Sequence, residues 1–550
     1  MGEELTGHSG VHAVAAARAH GIDVMFTLSG AHVFPLYDAA VKPVEGEPMR
    51  LVDVRHEATA VFAAEGLARL TRRPGLAVLT AGPGVTNGVS AVTSAYFTGS
   101  PLLVLGGRAP ANRWGQGSLQ ELDHPQLLAA VTKRAATIES AEAVGREVDA
   151  ALRLATSAHR GPVFLDVAFD VVYAHATAPR PAPPAPEPLE PDPDDLRAVA
   201  AALSQAVRPV CVFSSDVWMD GAEDAALAFA EELGVPVITT GQGRGVIPRG
   251  HPLLVTRARS AAFNAADLVV VAGAPLDFRL GYGVFGGRDG AAPAPVVHLA
   301  DSPGQLAGHV PLAASAAGDL TRVFTGIVAA LPRRPDWSAW TASMRAAADE
   351  AAAGDTDMLG ATSDPIHPGR IYGELRRALD DDAVVIGDGG DFVSFAGRFV
   401  EPARPGRWLD PGPFGCLGTG LGYAAAARIA HPSAQVVLLL GDGAAGFSLM
   451  DVDTLVRHGL PVVIVVGNNG IWGLEKGPMQ MLYGYDVAAD LQPQTRYDDV
   501  VRALGGGGEL VTDPEEIGAA LRRGFDAGTP YLVNVVTDPA AGYPRSTFGV

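Results

Sequence analysis

Along the chain, short runs that are apolar throughout alternate with amphipathic or alanine-rich stretches, and the rhythm repeats in three blocks. From Gly21 to about Val172 the runs DVMFTLSG, GLAVLTAG, PLLVLGG and GPVFLDV are separated by stretches such as AHVFPLYDAA and PGVTNGVSAVTSAY. Short apolar runs without polar alternation mark strands buried on both faces, hence a parallel sheet with helices on either side. A second block carries RPVCVFSS, VPVITTG, DLVVVAG and PVVHLAD, with GAEDAALAFAEELG as a helix between the first two. A third carries AVVIGDGG, QVVLLLGDG, PVVIVVGNN and YLVNVV. The pattern predicts an α/β protein of three doubly wound parallel-sheet domains. Their expected limits are residues 1–178, 196–332 and 369–550, the last including a C-terminal tail. The proline-rich stretch 179–195 and the polar, Ala- and Asp-rich passage 333–368 read as linkers, the first because it cannot form a core.

Composition narrows the functional classes. Hydrophobic residues make up 48% of the 550, yet no apolar run approaches the length that spans a bilayer, so no membrane crossing is expected. The formal net charge of −20 opposes binding to nucleic acid or anionic lipid, which both need a positive field. An anionic substrate must therefore meet local arginines. Met1-Gly2-Glu3-Glu4 lacks the basic start and apolar core of a secretion signal, and Cys211 and Cys416 are the only cysteines. A cytoplasmic location follows as an expectation. Neither cysteine has a neighbour at metal-ligand spacing, so both are expected to be structural thiols.

The chemistry concentrates in the third block. Gly441-Asp442-Gly443 directly follows one apolar run and Asn468-Asn469 the next, with SLMDVDTLVRHGL as a helix between them. Parallel strands put both ends on one sheet edge. Oxygen side chains there, beside glycines and a helix N-terminus, can hold a small divalent cation and a diphosphate together. The spacing resembles the thiamine-diphosphate binding motif. On that resemblance Asp442, the Asn469 side chain and the Ile471 carbonyl would ligate Mg2+, and Gly441, Gly443, Ala444 and Ala445 would lie along the diphosphate. Trp472, Gly473, Gly390, Asp391 and Phe392 would complete this end of the site. Gly415-Cys416-Leu417-Gly418 matches the segment under the cofactor, with Leu417 either the apolar support that bends it or ordinary core.

The first block carries a matching half. Glu57, in Arg55-His56-Glu57, sits where that family places the carboxylate of the aminopyrimidine, so the resemblance makes it catalytic, by hydrogen bonding the ring and promoting loss of the C2 proton. The Gly-rich turn from Thr80 through Pro83 to Asn87, together with Gly30, would meet the same ring. Over essentially the whole chain the resemblance is to the acetolactate synthase, oxalyl-CoA decarboxylase and 2-hydroxyacyl-CoA lyase group, nearest to the actinobacterial lyases. It implies a pyrimidine-binding first domain, a central domain whose expected occupant is ADP or CoA, and a diphosphate-binding third domain. In that group the first domain of one subunit faces the third of its partner, which implies a homodimer at least and a homotetramer by family habit.

Acetolactate synthases carry an apolar residue six positions beyond the second Asn, where this chain has Glu475. An acid there suggests proton handling, as in pyruvate-decarboxylase-type enzymes; the alternative is a surface pair with Lys476 or an arginine. Gln120 occupies the position facing the acceptor in either branch. Arg257 and Arg259 look like the CoA-handling branch, with a solvated surface charge as the other reading of each. The tail with Tyr543, Pro544, Arg545 and Phe548 is read either as a lid or as a frayed end. These features favour reversible cleavage of a short 2-hydroxyacyl-CoA, a branched one such as 2-hydroxyisobutyryl-CoA included, into a ketone or aldehyde plus formyl-CoA. The alternatives are acetolactate synthase, which joins two pyruvates, a related 2-oxoacid or oxalyl-CoA decarboxylase, and a protein that keeps the fold for binding alone.

Overall fold

The structure, a computed structural model, describes residues 4–43, 46–183, 187–287 and 292–543. Strands that the apolar runs predict are buried along their whole length, as in Gly75–Leu79, Pro162–Ala168, Pro209–Phe213 and Leu268–Ala272. Strands with two buried faces need helices on both sides, and the domains are parallel sheets of that kind. In the first domain six strands lie in the spatial order Arg50–Asp53, Val24–Thr27, Gly75–Leu79, Leu102–Arg108, Pro162–Ala168, Arg134–Ile138. The third domain repeats that order with Trp408–Leu409, Val384–Asp388, Val436–Gly441, Val463–Asn468, Tyr531–Val536 and Gly507–Val511. The five-stranded central sheet runs Val237–Thr239, Pro209–Phe213, Leu268–Ala272, Val296–Ala300, Ala314–Ala317. In each sheet the direction of strand addition reverses beside its first strand. The crevice outside the carboxyl ends at such a switch point is where open α/β sheets take ligands.

The passages read as linkers are more structured than their composition suggests. Strand His175–Pro179 pairs antiparallel with Glu4–His8, so the first domain's last strand runs into the proline-rich stretch. Helix Pro193–Gln205 ends that stretch, opened by Asp192, whose side chain accepts from the Asp194 amide. The passage 333–368 contains helix Ser338–Ala353, which buries Met344 and Ala348 against the central domain. The Trp337 and Trp340 indoles donate to the Ala206 and Pro209 carbonyls. An alanine-rich helix needs few large side chains to dock, which is why its pattern reads as a spacer.

Helices Glu57–Thr71 and Gly420–Ala430 join the first and third domains along one shared core that includes Val61, Phe62, Leu421 and Tyr423. Only hydrogen fits at two contact points. A Cβ on Gly66 would stand 2.8 Å from the Tyr423 ring, and one on Gly422 would stand 2.8 Å from Phe62 Cβ. At the end of this seam the buried Arg69 donates to Tyr423 Oη (3.1 Å), the Asp410 carbonyl (2.9 Å) and Gln242 Oε1 (3.2 Å). A buried guanidinium is tolerated only with such a set of acceptors, and here they come from the third and central domains. Among the described residues no helix is long and apolar enough to cross a membrane.

Candidate active site

A cavity of about 540 Å³ opens at the carboxyl edge of the third sheet. Its floor is the turn after strand Val436–Gly441. Gly441 precedes helix Asp442–Ser448, and the Asp442 carboxylate is buried at its first position. Asp442 Oδ1 accepts from the Gly443 amide (3.0 Å) and Oδ2 from the Gly470 amide (2.6 Å), so the carboxylate spans the two neighbouring strand ends. Burial pushes its carboxyl up to about 6, while these amides pull the other way. The Asn pair divides its labour. Asn468 turns into the sheet, where its Nδ2 donates to the Thr495 carbonyl and to Asn534 Oδ1. Asn469 and Ile471 line the cavity, the Asn469 Oδ1 accepting from the Ile471 amide at 3.2 Å.

Glycine keeps the space open. A Cβ on Gly443 would lie 2.5 Å from the Trp472 ring, and one on Gly390 2.2 Å from Leu474 Cδ1. Trp472, Gly473, Gly390, Asp391 and Phe392 all line the cavity, as do Gly415 and Leu417 on the opposite wall. Ala444 lines it too, whereas Ala445, expected beside it, is fully buried in the helix behind. Carboxylate, amide oxygen and backbone carbonyl are the hard donors that Mg2+ prefers, and a helix N-terminus flanked by glycines suits a diphosphate. The residues present fit both groups.

Glu475 lines the cavity from the first turn of helix Gly473–Tyr483, a helix with no buried residue. The expected alternative, a pair with Lys476, is not formed: the Lys476 ammonium meets Asp486 (3.6 Å) and Asp490. The start of the tail docks on the wall, the Tyr543 amide donating to Asp391 Oδ2 at 2.8 Å and the Tyr543 ring standing edge-on to Phe395. The lid reading of Pro544, Arg545 and Phe548 lies outside the described residues.

The first-domain candidates gather elsewhere. Glu57 is 8% exposed at the start of its helix and accepts from Asn87 Nδ2 at 3.0 Å. A Cβ on Gly84 would stand 2.6 Å from Thr80 Cγ2 and 3.9 Å from Glu57 Oε1, and one on Gly30 would stand 2.2 Å from Thr80 Cβ. Pro83 opens the helix Pro83–Asn87. Gln120 has a left-handed φ of 61° and packs on Gly82, whose amide donates to His124 Nε2 (2.9 Å). His124 is backed by Asp166 at 3.0 Å. Among the described residues that line the cavity, none comes from this domain. One chain therefore brings its site residues together in two separate groups.

The central domain supplies a residue that the sequence did not single out. Arg279 lines the cavity beside Phe278, its guanidinium held by Asp277 through Nε (3.0 Å) and Nη2 (2.7 Å). Arg257 and Arg259, read from sequence as CoA ligands, do not line it. Arg257 pairs with the buried Asp355, and Arg259 donates to the Arg279 carbonyl. Burial, with Arg244 and Arg279 nearby, pushes the Arg259 guanidinium down to about 10. Both arginines face protein groups, which leaves a CoA phosphate at these positions without support in the geometry.

The description "Thiamine pyrophosphate enzyme, N-terminal TPP binding domain" matches residues 9–127, that of the central domain 196–327, and that of the C-terminal TPP binding domain 388–535. The chain is 49% identical to the acetolactate synthase large subunit IlvG of Mycobacterium tuberculosis over 98% of its own length and 97% of that protein's. It is 34% identical to 2-hydroxyacyl-CoA lyase 2 of Mus musculus, covering 96% of this chain and 90% of that one. With the same lyase of Caenorhabditis elegans it shares 33% over 93% and 86%. Three domains are matched in order and relatives run along almost the whole length: the chain belongs to the thiamine pyrophosphate enzyme family and is an enzyme dependent on that cofactor.

Proposed function

We propose that the chain joins two pyruvates, the first losing its carboxylate as carbon dioxide, to give acetolactate. Arg279 carries this reading. It is the one Lys or Arg among the described residues that line the cavity, and Asp277 holds its Nε and Nη2 side. Nη1 is then left to meet a substrate carboxylate by charge-assisted hydrogen bonding, which matters in a chain whose net charge is −20. Sequence alone ranks the 2-hydroxyacyl-CoA lyase first, and the order is reversed here. The two arginines that favoured CoA face protein groups, and similarity is higher to a protein named acetolactate synthase, 49%, than to the lyases, 34%.

Thiamine diphosphate supplies an electron sink at the reacting carbon. In this proposal Asp442, the Asn469 side chain and the Ile471 carbonyl hold Mg2+, and Gly443 and Ala444 lie along the diphosphate. Glu57, Thr80 and Gln120 act on the cavity of a second copy, since their own chain keeps them apart from its cavity. The homodimer this requires is also supported by exposed apolar side chains, Leu119 at 78% next to Gln120 and, on the same chain, the stacked pair Phe97 and Phe414. Glu475, at the cavity wall, takes and returns a proton at the substrate oxygen. That acid also favours a second reading, the lyase, in which it accepts the substrate hydroxyl proton. The test is to supply pyruvate alone to the protein with thiamine diphosphate and Mg2+, and a 2-hydroxyacyl-CoA in a parallel sample. Acetolactate in the first, detected by mass, upholds the proposal; formyl-CoA in the second with no acetolactate in the first reverses the order.

A further inference from the structure

Asp388 ends the first strand of the third domain and is fully buried. Its hydrogen-bond partners are backbone amides, with the Cys416 thiol also near it. Oδ1 accepts from the Gly418 amide (3.1 Å), Oδ2 from the Gly420 amide (2.8 Å), and the Gly389 amide adds a further bond. Burial pushes the carboxyl up to about 7 against the pull of these donors. Both walls of the cavity begin at those amides. Gly389 leads into Gly390, Asp391 and Phe392 on one side, and Gly418 follows Gly415 and Leu417 on the other. Helix Gly420–Ala430 has Thr419 at its N-cap without a side-chain cap, so Asp388 is the group that satisfies its first amide.

The packing leaves this clamp little play. A Cβ on Gly420 would sit 3.0 Å from Asp388 Oδ2, and Gly389, at φ 102°, approaches Ala444, whose Cβ would be 2.9 Å from an added one. Strand end and supporting segment thus meet at one carboxylate, and the next residue, Gly389, packs on the helix that carries Ala444.

We propose that Asp388 is a positioning residue for the cofactor, its carboxylate holding the Gly415–Leu417 wall in register with the Gly389–Phe392 turn so that the cavity has the depth thiamine diphosphate needs. The proposal rests on the cavity taking that cofactor. Asp388→Asn keeps the shape but turns one acceptor into a donor facing an amide, which opens the clamp on one side.

Trp472 lies in the cavity wall, so tryptophan fluorescence follows the titration with thiamine diphosphate and Mg2+. Asp388→Asn is expected to raise the cofactor Kd about tenfold or more, the size of effect that groups orienting a ligand shell usually have. The thermal midpoint of the cofactor-free protein should stay within about 3 °C of wild type. An unchanged Kd overturns the proposal, and so does a Kd that rises only in step with a collapsing midpoint, which is general destabilisation. Should the variant not fold, amide hydrogen exchange on the wild type decides. The cofactor should protect residues 389–392 and 415–420 together, and protection of one segment without the other overturns the clamp. A wild-type chain that gives no titration at all sinks the cofactor reading and the clamp with it, whereas wild-type binding with an unaffected variant sinks the clamp alone.

Discussion

In the first domain the turn after the third strand in sequence reads Thr80-Ala81-Gly82; in the third domain the same place in the same strand order reads Asp442-Gly443-Ala444. Both turns open a helix. In the third domain the buried Asp442 carboxylate itself takes the Gly443 and Gly470 amides, and Gly441, Gly443 and Asn469 beside it line the open cavity. In the first, the protein supplies its own partners: Thr80 Oγ1 lies 3.2 Å from His32 Nδ1, and the Gly82 amide is taken by His124. Its acid, Glu57, stands to one side at another helix start. One topology therefore makes two switch-point crevices, and what separates them is where the partners come from: an acid at the strand end itself in the third domain, side chains of other elements in the first. In the proposed function the third domain holds the cofactor and the first acts on it.

Glu57→Gln tests that division most strongly. Turnover should fall by about 10²–10⁴ as general acid–base help is lost, with the cofactor Kd within about threefold of wild type. Steady-state rates beside a fluorescence titration separate the two, and a large loss of affinity would make the first domain a holder as well. Phe62→Ala empties the seam where its ring stands edge-on to Tyr423 and should cost about 3–5 kcal/mol in urea unfolding. Loss in one domain's transition alone would mean that the domains are not welded. Asp442→Asn should raise the cofactor Kd about 10–100-fold, the converse of Glu57. The smallest effect is titration of Asp388, whose carboxyl burial holds at about 7 against the ordinary 3.8. A folded value above the unfolded one gives stability that is complete below the unfolded value and is lost as pH rises through the folded one. The midpoint of the cofactor-free wild type should accordingly fall relative to Asp388→Asn between about pH 5 and about pH 8. Parallel pH curves for the two proteins would contradict it.

Much of the frame is legible in the sequence because burial on two faces leaves no polar alternation, so the inner strands of all three sheets show as apolar runs, whereas edge strands such as Arg50–Asp53 and Arg134–Ile138, open along part of their length, do not. Gly441 to Gly443 and Asn469 are legible for a related reason: a polar oxygen next to glycine at a strand end has few structural uses. Arg279 is not legible. Its importance comes from the central domain's approach to the third, and the sequence around it, Leu276-Asp277-Phe278-Arg279, offers only an acid that fixes a base two residues on. The ion pair of Arg257 is hidden for another reason, since its partner Asp355 lies far along the chain in a passage that reads as a spacer. Asp388 is passed over beside Asp391, because an acid whose partners are three backbone amides leaves no pattern of side chains to recognise.

Gly66 and Gly422 have a consequence for anyone who would recombine this protein with its relatives. Each lets a neighbouring helix come within reach only because the missing methyl leaves room for Tyr423 or for Phe62. A chimera that took its amino-terminal third from one parent and its carboxy-terminal third from another would set two unmatched surfaces against each other along this line. These two segments are inherited as a single mechanical part, however far apart they stand in the gene.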